Sequence, residues 1–294
     1  MSQRKHDEIT PQTTPEPERD RYTFGDGPVA ADRLALLAAT YEPSSARLLR
    51  MCASLAPRRA VDLGCGPGHS TRLVHAVVAP AATLGIDSSP DHVARARASA
   101  PPGIAYAVHD VTAAPLPGEA PPDLLYCRFL RTHLADPARV LAGWAAAAAD
   151  DRAALVVEET AELSSPHPAF RLYYRLVGEL QRHYGQELAI GRTLERAVAG
   201  TGWHAEISAM RELHLPACRM ARLHALNLAT WRRDPFARAA FSSEMLDELA
   251  AALEEIAAGA AEAPDVHHVM CQLVLMKDGG RGRRGPSTSP SSRC

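Results

Sequence analysis

The chain has 294 residues, 46% of them apolar, and this length suits one domain with insertions. Lysine and arginine total 32 against 34 aspartate and glutamate residues, which gives a formal net charge of −2. This balance provides no overall attraction to a polyanion and disfavours a nucleic-acid substrate.

The N-terminal segment has the composition of a flexible tail. Residues 1–20 are polar and contain three prolines, and no apolar stretch there resembles a signal peptide. No later apolar run is long enough to span a bilayer. We therefore expect a cytoplasmic protein with no membrane partner and a disordered tail at residues 1–20.

The first half of the chain alternates between strand and helix patterns. Pro43 suits the first turn of a helix that Pro57 ends, and Asp136 followed by Pro137 predicts another helix start. The predicted strands are 60–63, 84–87, 104–108, 123–127 and 154–158, and the helices that follow them are 70–78, 90–100 and 137–149.

The second half adds helical segments to this pattern. A stripe of apolar residues is typical of core packing and comprises Leu246, Leu249, Leu253 and Ile256. The aromatic residues of the first segment, including Tyr173, Tyr174 and Tyr184, are read as core more readily than as substrate contacts. Helical insertions are predicted near 161–200 and 218–260, with strands at 205–215 and 267–276 and a disordered tail at 279–294.

These elements together predict a Rossmann-like, doubly wound α/β fold. Strands that alternate with helices at this spacing form an open sheet with helices on both faces. We expect one domain at 21–278 with a mostly parallel, seven-stranded sheet. The six cysteines are scattered without metal-ligand spacing, so we expect reduced thiols and no metal site.

A glycine-rich turn separates the first predicted strand from the next helix. Residues 61–68 read VDLGCGPG. Glycines let the backbone turn tightly and approach a ligand, and the free amides at a helix start suit a carboxylate. An acidic residue followed by Gly-x-Gly-x-Gly resembles motif I of the class I S-adenosylmethionine (SAM)-dependent methyltransferases. By motif order the resemblance covers about residues 40–160.

The resemblance implies a SAM site along the ends of three strands. Asp62 would pair with the ammonium group of SAM. The methionine part of SAM would lie against the turn residues Gly64, Cys65, Gly66 and Gly68.

Two further acids follow the next strands. Asp87, beside Ser88, is placed to accept the ribose hydroxyls, and Asp110, beside Val111, to lie near the adenine amino group. A dinucleotide-binding dehydrogenase is the rival interpretation, but its fingerprint requires glycine or alanine at the position of His69.

The segment after the fourth strand lines the reaction centre in the family that the chain resembles. It lacks the Asn/Asp-Pro-Pro-Tyr/Phe sequence of enzymes that methylate nucleobase or glutamine nitrogens, which favours another acceptor. His133 is the candidate catalytic base, with packing or capping next to Asp136 as the alternative. Arg128 is a candidate contact to the cofactor or to an acidic acceptor, or else a surface ion pair.

The N-terminal helix of many small-molecule methyltransferases closes over SAM. Tyr22 and Arg33 are therefore candidate cofactor contacts, although disorder or simple packing explains them equally well.

The sequence thus predicts a SAM-dependent methyltransferase that acts on an O or N atom of a small-molecule metabolite. The expected partner is that acceptor, with no nucleic acid, and homodimer formation is left open. A protein or RNA methyltransferase and a noncatalytic SAM-binding regulatory protein stay open as alternatives, since no catalytic residue is indispensable.

Overall fold

We obtained a computed structural model of the chain, which describes residues 28–134, 136–149 and 152–279. The predicted tail at residues 1–20, the Tyr22 contact and nearly all of the tail at 279–294 lie outside the described residues. Within those residues, no helix is both long and apolar enough to cross a membrane. The five cysteines in the same part of the chain all carry free thiols.

A seven-stranded sheet lies at the centre of the described residues. Its strands are β1 (Arg59–Leu63), β2 (Ala82–Asp87), β3 (Ile104–Val108), β4 (Leu124–Arg128), β5 (Ala154–Ser164), β6 (Trp203–Leu215) and β7 (Val266–Lys277). They lie in the order β3-β2-β1-β4-β5-β7-β6. Neighbours from β3 to β5 run parallel, whereas β7 is antiparallel to β5 and to β6. The predicted α/β class with a mostly parallel sheet is confirmed.

Helices cover both faces of the sheet. They are α1 (Pro28–Ala53), α2 (His69–Val78), α3 (Pro90–Ala98), α4 (Pro137–Ala147), α5 (Pro168–His183), α6 (Ala217–Trp231), α7 (Pro235–Ala240) and α8 (Ser243–Ala257). Leu49 of α1 and Val74 of α2 join Tyr126 in the core on one face. Trp144 of α4 joins Leu125 in the core on the other. Because successive strand residues point to opposite faces, β4 is buried on both sides.

The prediction that α1 begins at Pro43 is wrong. The helix begins at Pro28 and continues through Pro43 to Ala53. Proline cannot donate a backbone hydrogen bond to the carbonyl four residues before it, here Ala39. Both Pro43 and Ala39 are exposed, so water can satisfy that carbonyl, while Leu48 keeps the inner face of the helix packed.

The second predicted insertion is three helices, α6 to α8, because Pro235 starts a new helix and Ser242 caps the next one. In the first insertion only α5 is an α-helix, and residues 190–192 and 194–198 are short 3-10 turns. The predicted stripe on α8 is confirmed as core: Leu246, Leu249, Leu253 and Ile256 are buried. We call α5, α6 and the part of α1 around Arg33 the lid.

Candidate functional site

A cavity of about 850 Å³ lies between the carboxyl ends of the strands and the lid. Open α/β sheets bind their ligands at this edge. The predicted site residues that line the cavity are Gly64, Gly66, Asp87, Ser88, Asp110, Val111, Arg128, His133 and Arg33. Asp62, Cys65 and Gly68 do not line it, and lie behind the wall that Gly64 and Gly66 form.

The glycine turn forms one wall of the cavity and leaves no room for a side chain at Gly64 or Gly68. Gly64, Gly66 and Gly68 have φ values of 68°, 52° and 84°, which side chains rarely tolerate. A Cβ on Gly68 would lie 2.4 Å from the Tyr106 hydroxyl, and one on Gly64 would lie 2.7 Å from Leu130. The cavity therefore meets bare backbone here, next to the first turn of α2, as the methionine part of SAM requires.

Asp62 shapes the turn from behind. Its carboxylate is 1% exposed and accepts the hydroxyls of Ser70 and Thr71 at 2.7 and 2.6 Å. Burial raises its pKa to about 6, against the smaller opposite effects of these two hydrogen bonds. These bonds tie β1 to the start of α2. The contact between Asp62 and an ammonium group stays a prediction.

Asp87 links the turn to the next loop and faces the cavity. Its Oδ2 accepts the backbone amide of Gly66 at 2.8 Å, and its Oδ1 accepts that of Ser89 at 2.9 Å. His92 lies 3.6 Å from the same Oδ1. A carboxylate has about four acceptor positions, so each oxygen can still accept a hydroxyl from a bound ribose.

Asp110 and Val111 close the far end of the same wall. Asp110 is exposed, and its Oδ1 accepts both the amide and the hydroxyl of Thr112 at 2.8 Å. The carbonyl of Val111 accepts the indole N–H of Trp144 at 2.8 Å, which anchors this loop to α4. The two acids at the ends of β2 and β3 thus lie in one cavity with the glycine turn, and this arrangement fits an adenosyl group.

Arg128 ends β4 and is held from the other side by α1. Its Nη1 donates to the Ser45 hydroxyl at 2.9 Å, and Ser45 donates in turn to buried Glu158 at 2.6 Å. The next residue, Phe129, has a φ of 55° and lines the cavity. A non-glycine residue at such a φ stores strain and is often found at functional sites.

His133 lies in the turn after β4, as the sequence predicts, and faces the cavity. Its Nδ1 lies 3.3 Å from Oε1 of Gln186. Burial, with a smaller contribution from the charge of Arg33, lowers the pKa of His133 to about 4. The ring is therefore neutral at pH 7. The predicted helix start at Asp136 is confirmed, because its side chain caps α4 and accepts a hydrogen bond from the amide of Arg139 at 3.1 Å. The alternative role of His133 as a cap is wrong, since the N-cap of α4 is Asp136.

Glu159 is a cavity residue that sequence reasoning missed. It is 1% exposed, and its Oε1 accepts the backbone amide of Arg131 at 2.6 Å. Burial raises its pKa to about 8. The signal available in the sequence is an acid at the end of a strand that is otherwise apolar, residues 154–157.

The lid contributes polar groups as well as apolar ones. Arg33 donates to Oδ1 of Asn227 at 3.3 Å, and the ring of Tyr173 stacks on that of His224 with centroids 4.1 Å apart. Nε2 of His224 lies 3.1 Å from the hydroxyl of Tyr174. Sequence reasoning named Arg33 as a candidate cofactor contact and favoured a core role for the two tyrosines, which line the cavity. It missed His224 and Asn227.

Two other aromatic residues of the first insertion take no part in the cavity wall. His183 stacks on Phe236 with centroids 4.1 Å apart, and Tyr184 donates to Asp234 at 2.8 Å. In the described part of the chain, no group of three or more metal-ligating side chains comes together.

Comparison with known proteins connects this site to a family. A family model described as a methyltransferase domain matches residues 31–206, more than half of the chain. A trans-aconitate 2-methyltransferase of Methylobacterium nodulans is 41% identical over 135 residues, which cover 46% of this chain and 50% of the relative. One of Methylobacterium radiotolerans is 42% identical over 97 residues, covering 33% and 36%. The chain therefore spans about half, or less, of the length of the curated relatives it matches.

Solved structures agree on the fold. A candidate methyltransferase of Bacillus halodurans has a TM-score of 0.53 at 15% identity, covering 80% of this chain and 99% of that one. A candidate Type II methyltransferase of Anaeromyxobacter dehalogenans also has a TM-score of 0.53, at 18% identity, covering 78% and 94%. In fold and in motif, the chain belongs to the methyltransferase domain family of class I SAM-dependent methyltransferases, as residues 61–68 predict.

Proposed function

We propose that this chain transfers the methyl group of SAM to a carboxylate oxygen of a small polycarboxylic acid. The observation that carries the proposal is one cavity in which the SAM-binding edge of the sheet meets a buried, cationic lid wall. The substrate printed in the names of its relatives, trans-aconitate, is such an acid.

The residues of the cavity divide into two groups. Those on the sheet edge would hold SAM: Gly64, Gly66, Asp87, Ser88, Asp110, Val111 and Arg128. When bound, SAM supplies a methyl group that its sulfonium already activates, so alignment and exclusion of water provide much of the acceleration. The lid residues Leu37, Val177 and Met220 line the cavity with apolar surface and help to exclude water.

A carboxylate acceptor changes the role of His133. Carboxylic acids are ionised at neutral pH, so no proton has to be removed before the oxygen attacks. An imidazole with a pKa near 4 is also a weak base. We therefore propose that His133, oriented by Gln186, hydrogen-bonds and positions the acceptor instead of deprotonating it.

The charge of the cavity suits an anionic acceptor. Arg33 and Arg128 are permanently charged, whereas the raised pKa of Glu159 keeps this acid largely neutral at pH 7. His133 and His224 are neutral there as well, since burial lowers their pKa values to about 4 and about 3. The lid side of the cavity is thus positive near neutral pH, whereas the acids Asp87 and Asp110 lie on the sheet edge, where SAM would bind.

The test is a labelled-methyl assay with the full chain. The protein is incubated with methyl-labelled SAM and, separately, trans-aconitate, citrate, a catechol, a peptide mixture or RNA. We expect label in trans-aconitate as an ester that alkali hydrolyses to methanol, and none in an Asp87→Ala control. Label in the peptide or RNA sample, or SAM binding without product in any sample, would refute the proposal. A cytoplasmic location, the absence of a nucleic-acid partner and homodimer formation stay predictions.

A further inference from the structure

Arg33 is a buried cation in the wall of the lid. It is 4% exposed, lines the cavity and donates from Nη1 to Oδ1 of Asn227 on α6 at 3.3 Å. Asn227 also lies next to Tyr173 on α5, where it opposes the effect of burial, which raises the pKa of that tyrosine. A guanidinium at this depth is rarely found without a role, because removing a charge from water is costly.

The charge of Arg33 acts on cavity groups that belong to different elements of the fold. Burial has the largest effect on the pKa of His133, and the charge of Arg33 lowers this pKa further. The same charge also acts on Tyr173, whose pKa burial raises to about 12. Arg33 therefore brings a positive charge close to His133 of the post-β4 turn and to Tyr173 of α5.

Arg33 and its neighbour Leu34 contact different parts of the cavity wall. Leu34 faces the glycine turn and lies 3.7 Å from the position of a Cβ on Gly66. Successive residues of an α-helix point about 100° apart. Arg33 instead contacts Asn227 of α6, in the lid.

A second arginine lines the cavity on the sheet edge. Arg128 ends β4, next to the glycine turn, and its charge acts on buried Asp62. We propose that the two arginines bind different carboxylates. Arg128 binds the carboxylate of the methionine part of SAM, and Arg33, held by Asn227, binds a carboxylate of the acceptor.

This assignment rests on the proposed function and narrows it. A guanidinium that makes charge-assisted hydrogen bonds to a carboxylate neutralises its charge and lowers the nucleophilicity of its oxygens, so the oxygen that attacks the methyl group belongs to another carboxylate of the same molecule. The acceptor therefore carries at least two carboxylates. In the transfer, an O–C bond forms, the S–C bond breaks, and its electron pair stays on sulfur.

The test measures binding, not turnover, by calorimetry on the full chain. The probes are S-adenosylhomocysteine alone, then trans-aconitate, fumarate or crotonate added to the saturated complex. We expect Arg33→Met to bind S-adenosylhomocysteine within about twofold of wild type and to lose about tenfold or more of its affinity for trans-aconitate. Wild type should prefer the dicarboxylate fumarate to the monocarboxylate crotonate, and the variant should not.

The matched control is Arg222→Met, an exposed arginine on the same helix as Asn227, which should behave as wild type. If Arg33→Met does not fold, Arg33→Lys takes its place. This variant should lose several-fold of its affinity for trans-aconitate, since lysine keeps the positive charge but not the planar pair of donors that a guanidinium offers to a carboxylate. Weakened S-adenosylhomocysteine binding with unchanged trans-aconitate binding would overturn the assignment, as would no acid binding by wild type. If trans-aconitate binds in a way that depends on Arg33 but is not methylated, the proposed function is refuted, whereas the assignment of Arg33 as a carboxylate-binding residue stands.

Discussion

Ionisation of Glu159 should weaken acceptor binding as the pH rises. Its carboxyl is buried in the cavity wall, and burial raises its pKa to about 8. The backbone amides of Arg131 and Leu130 and the charge of Arg131 oppose this shift, and Glu158 adds to it more weakly. Protonated Glu159 is compatible with an acceptor anion, whereas ionised Glu159 repels it.

The size of the effect follows from that pKa. About nine-tenths of the molecules carry neutral Glu159 at pH 7 and about one-tenth at pH 9. We therefore expect kcat/KM for trans-aconitate to fall about tenfold between these values, mainly through KM. His133 does not titrate in this range, because its pKa is about 4. Affinity for S-adenosylhomocysteine should change little.

The assay is initial rate against acceptor concentration from pH 6.5 to 9.5, with Glu159→Gln as the matched variant. The glutamine oxygen can still accept the backbone amide of Arg131, so the turn is preserved while the titration is removed. The variant should show no fall in kcat/KM around pH 8. A fall of equal size in the variant, or none in wild type, would refute the reasoning.

Three other substitutions test the rest of the site. Asp87→Asn should weaken S-adenosylhomocysteine binding about 10- to 100-fold in calorimetry, because charge-assisted hydrogen bonds to the ribose are lost. An unchanged Kd would show that Asp87 does not bind the ribose. Gly68→Ala should lower the free energy of unfolding by about 1–3 kcal/mol in urea titrations, since it combines a left-handed φ with a clash against Tyr106. Its control Gly143→Ala, in open space on α4, should be neutral or stabilising by up to about 1 kcal/mol. His133→Gln should keep kcat within about threefold, whereas a loss of about a hundredfold or more would identify His133 as a general base.

The cofactor side of the fold could be predicted because its information is local in sequence. β3 spans the predicted residues 104–108, and the glycine turn lies between β1 and α2, as expected. A turn that needs three positive φ values requires glycines at fixed spacing, and strand-end acids follow their strands directly. The start of α1 was missed because the cost of an internal proline depends on whether Ala39 meets water, which local sequence does not record.

The acceptor side depends instead on contacts between distant segments. Arg33 and Asn227 meet across 194 positions, and Tyr174 and His224 across 50. No spacing rule connects such pairs, since only the packing of α1 and of α5 against α6 brings them together. The physical separation has a consequence for specificity: residues on α5 and α6 can change without disturbing the glycine turn or Asp87. Acceptor preference can therefore diverge within this fold while the SAM-binding edge of the sheet keeps its geometry.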